Sequence, residues 1–195
     1  LLLSLLPFVV IIGIWIYLMR RMSGGAGGGA GGQIFNIGKS KAKLFDEKTG
    51  MIFAGSSIQG GGGTTPTQPE AKFVTFDPQQ KEIVAEIAPY EKSPYIRALV
   101  IVDRRVFGIA NGDALFVFDI DKKEIVHKSD LGVGSVLDLS LVLWKDGKLY
   151  GVADKKIFRL DPETYAVTVL AEYPRAIHCG FAIDDHGIYF GDKAE

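Results

Sequence analysis

Three stretches decide the fold: KFVTFDPQQKEIV at 72–84, LFVFDIDKKEIV at 115–126 and IFRLDPETYAVTV at 157–169. They align on Asp77, Asp119 and Asp161, successive positions 42 residues apart. Each aligned stretch is a short alternating run, a turn, and a second run, the signature of a β-hairpin. Asp-Pro and Asp-Ile-Asp-Lys mark the turns, because an Asp carboxylate accepts backbone N–H bonds and Pro presets φ. A strand ending near a small residue recurs as VFGIA at 106–110, LYGVA at 149–153 and IYFGD at 188–192. An earlier copy, MIFAG, lies at 51–55.

A period of about 42 with four β-runs per period is the requirement of a propeller blade. In the middle repeat the strands are expected near 114–118, 123–128, 136–143 and 148–153, with VLDLSLVLW apolar enough for burial on both faces. Gly108 and Gly151 suit a close approach of neighbouring strands. SSIQGGGGTTPTQPE at 56–70 reads as a long loop inserted before the first full repeat. The repeats resemble the quinoprotein-like, NHL-like and lyase-like propellers at the level of architecture, over roughly 51–195. That resemblance names no activity, and the tryptophan-docking repeats of the quinoprotein type are missing: the two tryptophans are Trp15 and Trp144. The expected blades are about 71–113, 114–154 and 155–195, plus the strand at 51–55. Propellers close with roughly four to eight blades. This part is therefore expected to belong to something larger or to pair with another chain through open blade edges.

The N-terminal quarter has a different texture. LLLSLLPFVVIIGIWIYLM, residues 1–19, carries no charge. As a helix it would span roughly 28 Å, close to the thickness of a bilayer core. Arg20 and Arg21 follow the run rather than precede it. That order favours a transmembrane helix, assigned to 1–22, over a signal peptide, and places the chain after residue 20 on the cytoplasmic side of the inner membrane. Trp15 and Tyr17 fall near that boundary, and Pro7 is tolerable as a kink. SGGAGGGAGG at 23–32 is a flexible tether, and 23–50 as a whole is expected to be a glycine-rich, basic linker. Lys39, Lys41 and Lys43 suit anionic headgroups, at about 1 kcal/mol each.

Gly38, Lys39 and Ser40 imitate the end of a phosphate-binding loop. The glycine that should stand five positions before Gly38 is Gln33, and glycine repeats replace the entering strand, so the motif is rejected. No cofactor and no metal site is expected. Charge is unevenly distributed: residues 1–49 hold six Lys/Arg and two Asp/Glu, and residues 50–195 hold 16 and 21. The acidic second part argues against a nucleic-acid partner. Cys179, the single cysteine, cannot form an internal disulfide.

The order IWIYLMRRMSGGAGGGAGG, then FNIGKSKAKLFDEKT, resembles the second membrane helix and juxtamembrane linker of the FtsH-type ATP-dependent zinc metalloproteases, over about residues 1–49. The resemblance implies a membrane anchor, preceded in that family by an earlier helix. It implies an ATPase module and a zinc protease helix downstream, but neither motif follows. His127, His178 and His186 are the three histidines, none followed by Glu, so no H-E-x-x-H exists. The anchor carries over; catalytic residues do not.

The remaining candidates are bland. His178 and Cys179 lie in AIHCGFAI, where a buried histidine and a small hydrophobic cysteine are expected, on opposite faces of one strand. Asp184, Asp185, His186 and Gly187 read as a hairpin turn. Tyr90, Tyr95, Arg97 and Arg175 are candidates to line a binding surface for a protein or small molecule. Three readings stay open: a membrane-anchored non-catalytic binding or scaffold fragment, an FtsH-type family member lacking its ATPase and protease modules, and a chimeric or truncated reading frame joined near 49–51.

Overall fold

The computed structural model describes residues 43–59 and 65–192. All of the regular structure among them is β. Sheet I comprises β1 (Lys43–Asp46), β2 (Met51–Gly55), β3 (Phe73–Asp77) and β4 (Glu82–Ile87). Sheet II comprises β5 (Ile96–Val102), β6 (Arg105–Ala110), β7 (Ala114–Asp119) and β8 (Glu124–Asp130). Sheet III holds β9 (Val142–Leu143), β10 (Leu149–Ala153), β11 (Lys156–Leu160) and β12 (Val167–Glu172). β13 (Ile177–Ile183) and β14 (Ile188–Asp192) form a two-stranded sheet IV. Every pairing is antiparallel between consecutive strands.

Sheet II is buried on both faces. Alternation sends Phe107, Ile109, Leu115 and Val117 into a cluster with Leu141, Leu149, Phe158 and Leu160 of the sheet III region. It sends Val106, Ala110, Phe116 and Phe118 into a second cluster with Phe53 and Phe73 of sheet I. Phe73 meets Phe116 edge-on at 5.4 Å and Phe118 at 5.0 Å, spacings that favour offset aromatic contact.

Asp77 and Asp119 end the third strand of their sheets, and Asp161 directly follows β11, the third strand of sheet III. Asp77 Oδ1 accepts the N–H groups of Gln79 and Gln80 at 2.8 and 3.0 Å, and Asp119 Oδ1 those of Asp121 and Lys122 at 3.0 and 2.9 Å. Asp161 Oδ1 accepts those of Glu163 and Thr164 at 2.9 and 3.2 Å. The residue four places on is left-handed each time: Lys81 (φ 58°), Lys123 (φ 58°) and Tyr165 (φ 59°). Asp46 builds the same turn between β1 and β2, and there the left-handed position is Gly50.

Several expectations need correction. Residues 43–46, assigned to the linker, form the first strand of sheet I. Leu44 packs against the cluster shared with sheet II, and the strand pairs in register from Lys43↔Ala54 to Asp46↔Met51. Sheet boundaries fall at 43–87, 96–130, 142–172 and 177–192 rather than at the expected blade limits. The aspartate hairpin closes a sheet as its third and fourth strands, so the sequence repeat starts mid-sheet. The expected strand at 136–143 survives as β9 and as a single antiparallel bridge from Val136 to Ala153. Leu139 takes φ 59°, and Ser140 Oγ donates toward the carbonyls of Leu137 and Val152 at 2.9 and 3.1 Å, which holds 137–141 as a loop. The expected membrane helix at 1–22 lies outside the described residues. Among those described, no helix is long and apolar enough to cross a membrane.

Candidate functional site

A cleft opens between sheets I and II at the end where the aspartate turns lie. Its volume is about 390 Å³, within the range of small-ligand sites, about 300–1,000 Å³. Met51, Phe53, Val84, Ala85, Phe118 and Ile120 supply its apolar wall. Asp77, Glu82, Arg104, Asp121 and Lys123 ring it with both signs of charge. Arg104 donates through two nitrogens to the Asp121 carboxylate, with Nε to Oδ2 at 3.2 Å. That fork holds the Asp121 carboxyl below the usual carboxylate range and the guanidinium above its own.

Thr75 lies at the base of this cleft. It is 5 % exposed, and its Oγ1 has no hydrogen-bond partner among the described residues. An unmade bond to a buried hydroxyl costs about 1–3 kcal/mol. Cross-strand pairing sets Thr75 opposite Phe53 on one side and Ala85 on the other. A bulge follows directly, between Thr75 and Phe76, and leaves Val84 as the extra residue of β4.

The residues singled out from sequence lie elsewhere. Gly38, Lys39 and Ser40 fall outside the described residues. Asp77, Asp119 and Asp161 sit on three different sheets and serve their own turns. Asp161 also accepts from Lys148 Nζ at 2.6 Å; that bond and the two backbone N–H groups lower its pKa to about 2. His178 and Cys179 are both exposed rather than buried, on the two-stranded sheet IV. Asp184 does cap a hairpin turn, accepting from His186 and Gly187 N–H at 2.7 and 3.0 Å. Tyr95 and Arg97 meet, the guanidinium 4.1 Å from the ring centroid, and Arg97 pairs with Asp138 at 3.5 Å. Tyr90 donates to the Leu115 carbonyl at 2.5 Å, and burial pushes its phenol pKa up. Arg175 pairs with Asp192 at 2.6 Å, next to sheet IV. Sequence reasoning passed over Thr75, although the signal is in the repeat: Thr75 stands where the next copy has Val117.

The solved structures similar to this one decide the architecture. The computationally designed Ika8 protein matches 79 % of this chain and 43 % of its own, with a TM-score of 0.55 at 14 % identity. The Cps50 (Swd1) β-propeller domain of Myceliophteria thermophila matches 67 % of this chain and 39 % of its own, with a TM-score of 0.51 at 12 % identity. The fold is propeller-like. Identities this low carry fold and nothing more.

Similarity in sequence points to another class. The ATP-dependent zinc metalloprotease FtsH of Parabacteroides distasonis is 58 % identical over 41 residues, 21 % of this chain. The mitochondrial inner membrane m-AAA protease component yta12 of Schizosaccharomyces pombe is 52 % identical over 59 residues, 30 % of the chain. FtsH of Aquifex aeolicus is 39 % identical over 93 residues, 47 % of the chain. The chain spans only 6, 8 and 11 % of the length of these three relatives. No family model matches. The sequence is thus similar to FtsH-type proteases over part of the chain, and the fold of the described residues is propeller-like.

Proposed function

We propose that this chain is a membrane-anchored, non-catalytic binding or scaffold fragment, in which an FtsH-like anchor holds propeller-like sheets at the cytoplasmic face of the inner membrane. The observation that carries the reading is the junction of the two textures in one chain. An ATP-dependent zinc metalloprotease and a mitochondrial inner membrane m-AAA protease component are 58 and 52 % identical to this chain over short stretches, while the described residues form sheets with a ligand-sized cleft. The apolar run at 1–19 supplies the anchor, and Arg20 and Arg21 its orientation.

Fractionation tests the anchor. The full chain should pellet with membranes and resist extraction by alkaline carbonate, and release into the supernatant would end the reading. Purified chain should neither hydrolyse ATP nor cleave casein; either activity would return it to the protease class.

A second reading, a chimeric or truncated reading frame, is favoured by the composition change at 49–51. The relevant measurement is nucleic-acid sequence from independent reads across codons 45–55, where discontinuous coverage would make the chain an artefact of joining. β1 bears on this reading too. Residues 43–49 belong to the FtsH-resembling segment, yet they form the first strand and turn of sheet I.

A further inference from the structure

The interface between sheets II and III repeats the one between sheets I and II, and only the first is filled. At II–III, the Tyr165 ring stacks on His127 with centroids 3.8 Å apart and planes 16° apart. It also lies 6.2 Å from Phe107, and Arg105 donates to its hydroxyl at 3.4 Å. Val117 stands opposite His127 in the sheet.

The aspartate spacing and the cross-strand register give the equivalent positions at I–II. Lys123 replaces Tyr165, Ala85 replaces His127, Thr75 replaces Val117, and Met51 replaces Arg105, while Phe53 keeps the place of Phe107. All five of these residues line the cleft. Two stacked rings have become a methyl group and a flexible cation, so the cleft occupies the room of the missing stack. The one position that changes from apolar to polar, Val to Thr, contributes a buried hydroxyl with no partner among the described residues.

We propose that the cleft between sheets I and II binds a planar aromatic group bearing a hydrogen-bonding substituent. The ring takes the place that the Tyr165–His127 stack fills next door. It rests on Phe53 and Ala85 with the Lys123 ammonium available to its face, and its polar substituent meets Thr75 Oγ1. The proposal rests on the binding-module reading for the existence of a ligand.

The test uses the full chain in detergent micelles, with N-acetyltyrosinamide, p-cresol and N-acetylleucinamide as probes and saturation-transfer NMR as readout. Both phenols should receive saturation in the ring protons and compete with each other, while the leucine amide receives none. Tighter binding of the amide assigns the source as a polypeptide side chain, and tighter binding of p-cresol a free small molecule; each supports the site. Thr75→Val, which keeps shape and loses only the hydroxyl, should weaken binding about tenfold. Its thermal midpoint should stay level or rise, which separates lost binding from lost fold. Ala85→Phe, which fills the cleft from within, should abolish binding. Phenol binding that neither variant alters, equal binding of the leucine amide, or no binding at all would overturn the proposal. If the chain still pellets with membranes in those cases, the anchored-module reading stands without this ligand.

Discussion

Gly108 and Phe116 face each other across β6 and β7, and their pairing is a matter of volume. A Cβ on Gly151 would lie 2.5 Å from the Phe158 ring, and one on Gly108 would lie closer still to Phe116. The same cross-strand pair in sheet I is Ala54 with Val74, a larger small residue opposite a smaller large one. Gly108→Ala alone should therefore cost about 1–3 kcal/mol through overpacking. Adding Phe116→Val, which recreates the sheet I pair, should recover part of that loss. The check is a double-mutant cycle by urea denaturation, where a coupling of about 0.5–3 kcal/mol is expected. Strict additivity would show that the ring is not what the glycine serves.

Asp161 carries a charge prediction at the same scale. Its pKa in the folded chain is about 2, below the ordinary 3.8, chiefly because Lys148 donates to it and then because two turn N–H groups do. A carboxyl depressed by folding adds stability above its unfolded pKa and loses it as pH falls. This contribution should be full above about pH 4 and vanish progressively toward pH 2. Carbon-detected NMR should find the Asp161 carboxyl titrating near 2, and Lys148→Ala should move it back toward the ordinary value. An unchanged midpoint in that variant would exclude the lysine as the main cause.

The repeated turn shows what one backbone position asks of different side chains. Position four after each aspartate is left-handed, and Gly50 fills it at the β1–β2 turn without penalty, whereas Lys81, Lys123 and Tyr165 bear a Cβ there. For a non-glycine residue that conformation costs about 1–2 kcal/mol, and glycine gives back about 0.5–1 through unfolded-state entropy. Lys81 is exposed, so Lys81→Gly should stabilise by about 0.5 kcal/mol. Tyr165→Gly at the same φ should destabilise by at least about 1 kcal/mol, because the His127 stack goes with it. Thermal melts of the two variants should shift in opposite directions; a common direction would mean that backbone strain, not the stack, sets the value of the position. The hairpins themselves were legible because period-two alternation and Asp-x-x-x turns are local signals. β1 was not, since KLFD becomes a strand only through Leu44 and a partner strand that pairs with it. VLDLSLVLW misled for the opposite reason: it is mostly a loop that buries Val136 and Leu141 and exposes Leu139 and Leu143, yet its apolar texture looks, in sequence, like a strand buried on both faces.

Across the whole set of sheets, position relative to sheet II governs what is rigid and what is open. β6 and β7 have partners on both edges, and of their residues only Arg105 and Asp119 escape full burial. β12 is exposed along all but its first residue, Val169 and Leu170 included, and sheet IV has two described strands. The propeller reading came from the repeat, yet the repeat could not say where a sheet begins or which inter-sheet seam is left open. That depends on which residues sit opposite one another across a seam, and it surfaced at Thr75 only once register was known. The same asymmetry fixes the order of local opening. Amides with few buried neighbours open by small fluctuations, while those enclosed on both faces exchange near the global limit. Hydrogen exchange should therefore leave Phe107, Gly108, Ile109, Phe116 and Val117 protected longest. Amides of 177–192 should exchange on the order of 100-fold faster, and those of β12 in between. Uniform protection across sheets II and IV would mean that the sheets open as one cooperative unit and that something covers the faces of β12 and sheet IV in solution.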